Sequence, residues 1–383
     1  MATYKIFPIQ DTTMYSLYQT TNAGSDEILE VGSMNNKSGV VSPSLVLEDL
    51  GVDDIRRSLI LFDTNEILSA ISLSATASNV SSSLRLYLAE AENLTQIYSL
   101  EVWPVDNFWS NGTGKFNDSP TNTGGTSWKY RSAQVNGVTW NATAQYLTPG
   151  GGSWHINYSA SQNFTYTSDK DINVNVTNIV NKWVDGTLGQ NYGFLVKLPF
   201  TGNLSSGDIF EANPQSYINL KFFSMNTHTI YPPCLEFKWN DSTINTGSLS
   251  SSSFNDLVVN QDTYVVVSTN NLGEYENNSV YKFRFKARDQ FPTRQFTTSS
   301  VYLNWKYLPT SSYYAIQDYK TKEMAVDFDN KSTQLSVDPS GSFFTLFMNG
   351  LQPERSYRIL IKSILSTGEV VIKDNDLIFK VVR

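Results

Sequence analysis

Asp171-Ile-Asn-Val-Asn-Val-Thr-Asn-Ile-Val-Asn-Lys-Trp-Val-Asp-Gly186, resumed by Asn191-Tyr-Gly-Phe-Leu-Val-Lys197, changes its hydrophobic period twice. Ile172, Val174 and Val176 alternate with polar residues, the period of a half-buried strand. Val176, Ile179, Val180 and Trp183 then fall at i, i+3, i+4 and i+7, one apolar face of a helix about two turns long. Thr177 is placed to cap that helix and Gly186 to stop it in a left-handed conformation. Asn191-Tyr192-Gly193 is a turn signal, and Phe194-Leu195-Val196 resumes as a strand. The spacing predicts a short helix lying across one end of a β-sandwich, with Trp183 filling the open core there rather than offering a ligand platform.

Outward from this stretch the chain is strand and turn throughout. Of 383 residues, 40% are hydrophobic and only 17% charged, so cores are affordable and the polar surface is built from Asn, Ser and Thr. Aromatic and β-branched residues suit a pleated surface, while Asn, Ser and Gly suit tight turns. Long helical patterns are absent, which predicts an all-β protein. Strands are expected at Tyr4–Ile9, Arg57–Asp63, Ser83–Leu88 and Ile97–Pro104, with Ile71 and Leu73 leading in and Ala89-Glu-Ala-Glu as a polar bend. Further strands are expected at Ile209–Glu211, Ile218–Phe223 and Leu235–Trp239. Arg57-Ser-Leu-Ile-Leu-Phe-Asp63 is nearly continuous apolar, as for a strand buried on both faces. Asp241 through Ser253 is poor in apolar residues and rich in Ser, so residues 241–253 read as a linker between a sandwich at 1–240 and a second β region at 254–383. The second region is long for one sandwich and leaves open a small separate β unit at 254–298. Within it, Gly350-Leu-Gln-Pro-Glu-Arg-Ser-Tyr357 resembles the tyrosine corner of immunoglobulin- and fibronectin-like domains. That implies a buried Tyr357 ring whose hydroxyl bonds nearby backbone.

The first region carries a family resemblance. Its pieces are Arg57-Ser-Leu-Ile-Leu-Phe-Asp63, Ser83-Leu-Arg-Leu-Tyr-Leu88, Val138-Thr-Trp140, the Trp183 helix and Asn191-Tyr-Gly-Phe-Leu-Val-Lys197. In this order and spacing they resemble the disaggregatase-related (DNRLRE) β-sandwich family. The close of the region, Phe222 to Trp239, resembles that of tailed-bacteriophage virion proteins using the same sandwich. The resemblance implies a jelly-roll-like antiparallel sandwich with one short helix. It implies a virion structural protein at the neck, tail or capsid surface, with other virion proteins and further copies of itself as partners.

Composition sets limits of its own. The net charge of −8 argues against a general nucleic-acid or anionic-membrane binder. No apolar stretch reaches membrane-spanning length, and the first residues lack a signal-peptide core, so synthesis in a host cytoplasm is expected. Without a secretory route the sequons at Asn79, Asn93, Asn141 and Asn163 read as loop composition. The single cysteine, Cys234, excludes an intrachain disulfide and reads as a small buried residue.

Catalytic and metal chemistry is not marked. His155 and His228 stand apart from any ligand pattern, and no phosphate-cradling loop occurs. Asp53, Asp54, Asp106 and Glu211 are carboxylates available to a glycosidase, yet no spacing selects two of them. An acidic stretch at Glu48, Asp49, Asp53 and Asp54 lacks the repeat of a calcium loop. No cofactor, metal ligand or catalytic residue is assigned, and the chain is expected not to be an enzyme. Trp109, Trp128 and Trp154, in Gly- and Asn-rich loops, are the candidate contacts for a glycan or partner. The plainer reading is that each pins its loop to the sandwich rim. A carbohydrate-binding module for host-surface adsorption is therefore the second functional reading, and a polysaccharide-acting enzyme the third. Finally, Tyr281-Lys-Phe-Arg-Phe-Lys-Ala-Arg288 alternates aromatic and basic residues. It predicts an apolar face and a solvated basic face, with a partner surface as a further reading.

Overall fold

A computed structural model describes residues 2–35, 53–92, 98–132, 137–140, 150–165, 167–169, 171–200, 210–211, 218–245, 264–291, 305–365 and 367–383. Strands run in chain order over Ala2–Ile6 (β1), Pro8–Tyr15 (β2), Ile28–Asn35 (β3) and Asp53–Phe62 (β4). After helix α1, Thr64–Leu73, come Ser78–Leu86 (β5), Leu88–Glu92 (β6), Tyr98–Pro104 (β7), Tyr130–Ser132 (β8), Val138–Thr139 (β9), Ala160–Phe164 (β10) and Ile172–Asn175 (β11). Helix α2, Thr177–Val184, leads to Phe194–Lys197 (β12), Ile218–Phe223 (β13) and Cys234–Asn240 (β14). Then follow Tyr264–Ser268 (β15), Glu274–Glu276 (β16), Val280–Asp289 (β17), Ser312–Asp318 (β18) and Met324–Val326 (β19). Ser336–Asp338 (β20), Gly341–Phe347 (β21), Arg355–Ile364 (β22) and Val370–Val382 (β23) complete the set. The protein is all-β, built from multiple antiparallel sheets. Residues 246–253 of the expected linker lie outside the described residues.

The chain forms two compact units. The larger comprises Ile6–Ser69 and Ser82–Glu236, and the smaller Met1–Lys5, Ala70–Ser81 and Phe237–Arg383. The larger unit is centred on an eight-stranded sheet in the order β10-β7-β12-β4-β3-β13-β6, with β2 also paired to β4. β4 is its hub, with antiparallel partners β2, β3 and β12, which is why Ser58, Leu59, Ile60 and Phe62 are all buried. β11 pairs antiparallel with β5 through Ile172–Leu86 and Val174–Leu84, and these side chains are buried.

The opening stretch folds largely as its periods require. Ile179, Val180 and Trp183 form the buried face of α2, and Gly186 stops the helix at φ +78°. Trp183 packs on Phe194 of β12, which in turn meets Phe62 of β4 edge-on. Asn191 donates to the Phe62 carbonyl at 2.9 Å and accepts from the Gly193 amide at 2.8 Å. Gly193 sits at φ +89°, and a Cβ there would lie 2.3 Å from the Ile60 carbonyl oxygen. No other residue fits that approach, which explains the Asn-x-Gly turn physically.

Three local expectations are corrected. Thr177 does not cap α2. It is the first helical residue, and its hydroxyl instead accepts from the Ser82 amide at 2.9 Å. Ala89-Glu-Ala-Glu is not a bend but strand β6, paired with β13. Ile71 and Leu73 do not lead into a strand. They lie in α1, which makes two α-helices rather than one among the described residues, and Asp63 caps it by accepting from the Asn65 amide at 2.8 Å.

The smaller unit is a two-sheet sandwich, with sheet orders β15-β17-β21-β20 and β16-β23-β22-β18-β19. Phe283, Phe285 and Phe344 from one sheet and Tyr314, Ile359 and Phe379 from the other share a single core. Strands at 264–289 thus belong to the same sandwich and not to a separate small unit. Tyr357 is buried, and its hydroxyl accepts from the Gln352 amide at 2.8 Å and donates to the Gln352 carbonyl at 3.3 Å. The corner geometry is therefore present. Segments outside 254–383 are also part of this unit. Lys5 Nζ donates to the Ala325 carbonyl at 3.2 Å, Asn349 donates to the Lys5 carbonyl at 2.8 Å, and Tyr4 meets the Phe347 ring edge-on. Residues 243–245, expected as part of the linker, instead bridge Val337 of β20.

Candidate functional site

The loop tryptophans converge in the larger unit. Trp109, Trp140 and Trp154 are buried together with Trp103, Met14, Leu59 and Leu195, with Trp128 half-buried against them. Of the candidate contact residues, Trp109 is 1% and Trp154 2% exposed. Trp109 donates from Nε1 to the Tyr192 carbonyl at 2.8 Å, and Trp140 to the Ser127 carbonyl at 3.0 Å. Each loop is thus pinned by a ring and a polar tip together. The Gly150-Gly151-Gly152 turn makes the close approach possible. All three have positive φ, and a Cβ on Gly151 would fall 2.7 Å from the Trp128 ring and 2.5 Å from the Arg57 guanidinium.

Two cations flank this aromatic cluster. The Arg57 guanidinium carbon lies 4.8 Å from the Trp128 ring centre and 5.4 Å from that of Trp154. Arg57 forms a bidentate pair with Glu211, at 2.8 and 2.7 Å, and donates a third bond to the Gly151 carbonyl at 2.7 Å. Both side chains are essentially excluded from solvent, at 1% and 0% exposure. Lys197 is buried as well. Its ammonium lies 3.0 Å from Glu101, 2.8 Å from the Leu198 carbonyl and 5.8 Å from the Trp154 ring. Glu101 also accepts from Trp103 Nε1 at 3.0 Å. Buried charges of this kind persist only when their hydrogen-bonding capacity is met, and here two cations, two carboxylates and backbone carbonyls meet it.

The carboxylates considered for catalysis are used structurally. Glu211 is held by Arg57. Asp106 accepts from Ser153 and Asn107. Asp54 is engaged by Arg56 at 3.0 and 2.9 Å, and burial still raises its pKa above the ordinary carboxylate value. The Asp53 side chain, Glu48 and Asp49 lie outside the described residues. His155 bonds through its backbone to Pro104, whereas the His228 side chain is 91% exposed. Among the described residues no group of three or more His, Cys, Asp or Glu side chains is placed to hold a metal ion. Cys234 is buried beside Tyr87, whose hydroxyl burial pushes up in pKa.

Sequence reasoning quoted Arg57 and Lys197 as motif ends but did not join them to Glu211 and Glu101. The available signal was a charge set inside an apolar strand at each place, since long cations are fully buried only when paired. No protein-family model and no curated protein sequence matches this chain.

Proposed function

We propose that the chain is a non-enzymatic structural protein of a tailed-bacteriophage virion, a neck, tail or capsid-surface component acting through protein–protein assembly. One observation carries this reading: the residues on which the resemblance to the disaggregatase-related family rests are consumed by folding. Arg57 and Lys197 are buried in ion pairs, Trp140 and Trp183 fill cores, and Asn191 with Gly193 locks a turn. Such a motif specifies a rigid scaffold, and a scaffold works by presenting loops and strand edges. β10 and β6 end the eight-stranded sheet and offer backbone groups to a neighbouring chain. Repeated copies in a symmetric particle multiply contacts that are weak singly. The virion setting itself comes from the resemblance.

The carbohydrate reading of the loop tryptophans needs open ring faces, and only Trp128 among the three retains appreciable exposure, with Arg57 lying against its ring. The test is light scattering coupled to size exclusion on the purified chain, with mass spectrometry of purified particles. A defined oligomer, or fixed stoichiometry in particles, supports the assembly reading. A monomer missing from particles removes it.

A further inference from the structure

We propose that the outward face of the β15-β17-β21-β20 sheet, in the smaller unit, binds an acidic polysaccharide bearing carboxylate groups. This does not depend on the assembly reading above. Along β17, Phe283, Phe285 and Ala287 point into the sandwich core, so Lys282, Arg284, Lys286 and Arg288 project from the opposite face. The four form one row about 20 Å long, at the rise of an extended strand. Lys306 joins its end, since its backbone bridges Ala287.

The row faces few carboxylates. Asp338 is bound by Arg284 in a fork of two 2.8 Å bonds, with Lys282 at 4.0 Å, and Asp289 lies 3.0 Å from Lys306. Among the described residues neither Lys286 nor Arg288 has a carboxylate partner. This face is therefore basic on a chain whose net charge is −8. A local inversion of sign concentrates anions there, whereas exposed ion pairs add little to stability.

The class of anion follows from what the row already holds and from what covers its rings. Arg284 and Lys282 already bind the Asp338 carboxylate, and the Arg fork repeats at position 288. The Phe343 ring lies under the Lys282 ammonium at 3.5 Å and the Arg284 guanidinium at 5.2 Å, and the Lys286 ammonium lies 5.5 Å over the Trp305 ring. Single-stranded nucleic acid relies on open aromatic faces for base stacking, and both of these rings already carry a cation of the row over a face. A carboxylated sugar chain needs only charge and donors.

The test measures binding of the full chain to immobilised carboxymethyl-dextran, dextran phosphate, neutral dextran and a single-stranded oligonucleotide, at low and physiological salt. Carboxymethyl-dextran is expected to bind most tightly and to weaken as salt rises. The Lys286→Glu/Arg288→Glu variant is expected to lose roughly tenfold in affinity, with its melting unchanged. The neutral Lys286→Gln/Arg288→Gln pair should lose less, and stands in for the reversed pair if that fails to fold. Lys320→Glu/Lys331→Glu, which reverses two exposed charges elsewhere in the same unit, should bind as wild type. Binding no tighter than to neutral dextran, equal loss in the control variant, or a preference for dextran phosphate or the oligonucleotide would each overturn the proposal.

Discussion

At the scale of single residues the larger unit is organised by charges placed where solvent cannot reach them. Removing one partner of Arg57–Glu211 strands the other in the core, so Glu211→Ala is expected to cost about 3–5 kcal/mol, read by urea unfolding. Arg57→Met/Glu211→Leu, which removes both charges, should recover part of that loss. Asp11 behaves differently. It is buried on β2, burial raises its pKa to about 7, and the Met225 amide, donating at 2.6 Å, lowers it only in part. Between the ordinary carboxylate value of 3.8 and about 7 the folded protein thus keeps a proton that the unfolded chain releases. The stabilisation is present below pH 3.8 and is lost as pH rises through about 7. Unfolding free energy should therefore fall with rising pH in that window, by about 1.4 kcal/mol per unit from this group. Asp11→Asn, which keeps an acceptor for Met225, should flatten the slope. A slope unchanged in the variant would place its origin elsewhere. Sequence could not show this, because Asp11 sits in a polar run, Gln-Asp-Thr-Thr, that reads as exposed.

At the scale of elements the two helices show what a sequence displays and what it hides. α2 was legible because its apolar face is strong and ends in Gly. α1 was equally signalled, by Asp63 and Glu66 in capping-box spacing ahead of Ile67, Ala70 and Ile71, but its Ser-rich outer face blurs the period. Asp63→Ala should cost about 1 kcal/mol through the lost cap, measured by thermal melting. Trp183→Ala should cost about 3–5 kcal/mol by opening a cavity beside Phe194. The Thr177 expectation failed for a tertiary reason, since its hydroxyl found the Ser82 backbone before it could serve its own helix. The buried tryptophan loops were legible as anchors, but their joining through Arg57 and Lys197 was not. Sequence separation conceals which charges meet.

At the scale of the whole molecule, division into units is where linear reading and structure part most. A Ser-rich run suggested a boundary between contiguous domains, yet the smaller unit takes in residues from both ends of the chain and Ala70–Ser81 from between. Composition marks loops, but it does not say which distant segment completes a core. A fragment spanning 254–383 lacks the partners of Ala325, Asn349 and Phe347. It is expected to unfold at lower urea concentration than the same unit in the full chain, followed through the buried aromatics by near-ultraviolet circular dichroism. Equal midpoints would show that the terminal and inserted segments contribute nothing.

The contacts of Lys5 with Ala325 and Asn349 span 320 and 344 positions of the sequence. A ribosome working at about 5–20 residues per second therefore releases Lys5 some tens of seconds before either partner exists. During that interval β14 can already stand beside β1, but the two hydrogen bonds of Lys5 to the smaller unit's sandwich cannot form. That sandwich closes on Lys5 only after residue 349 has been made, so its maturation follows the clock of translation as well as its own folding rate.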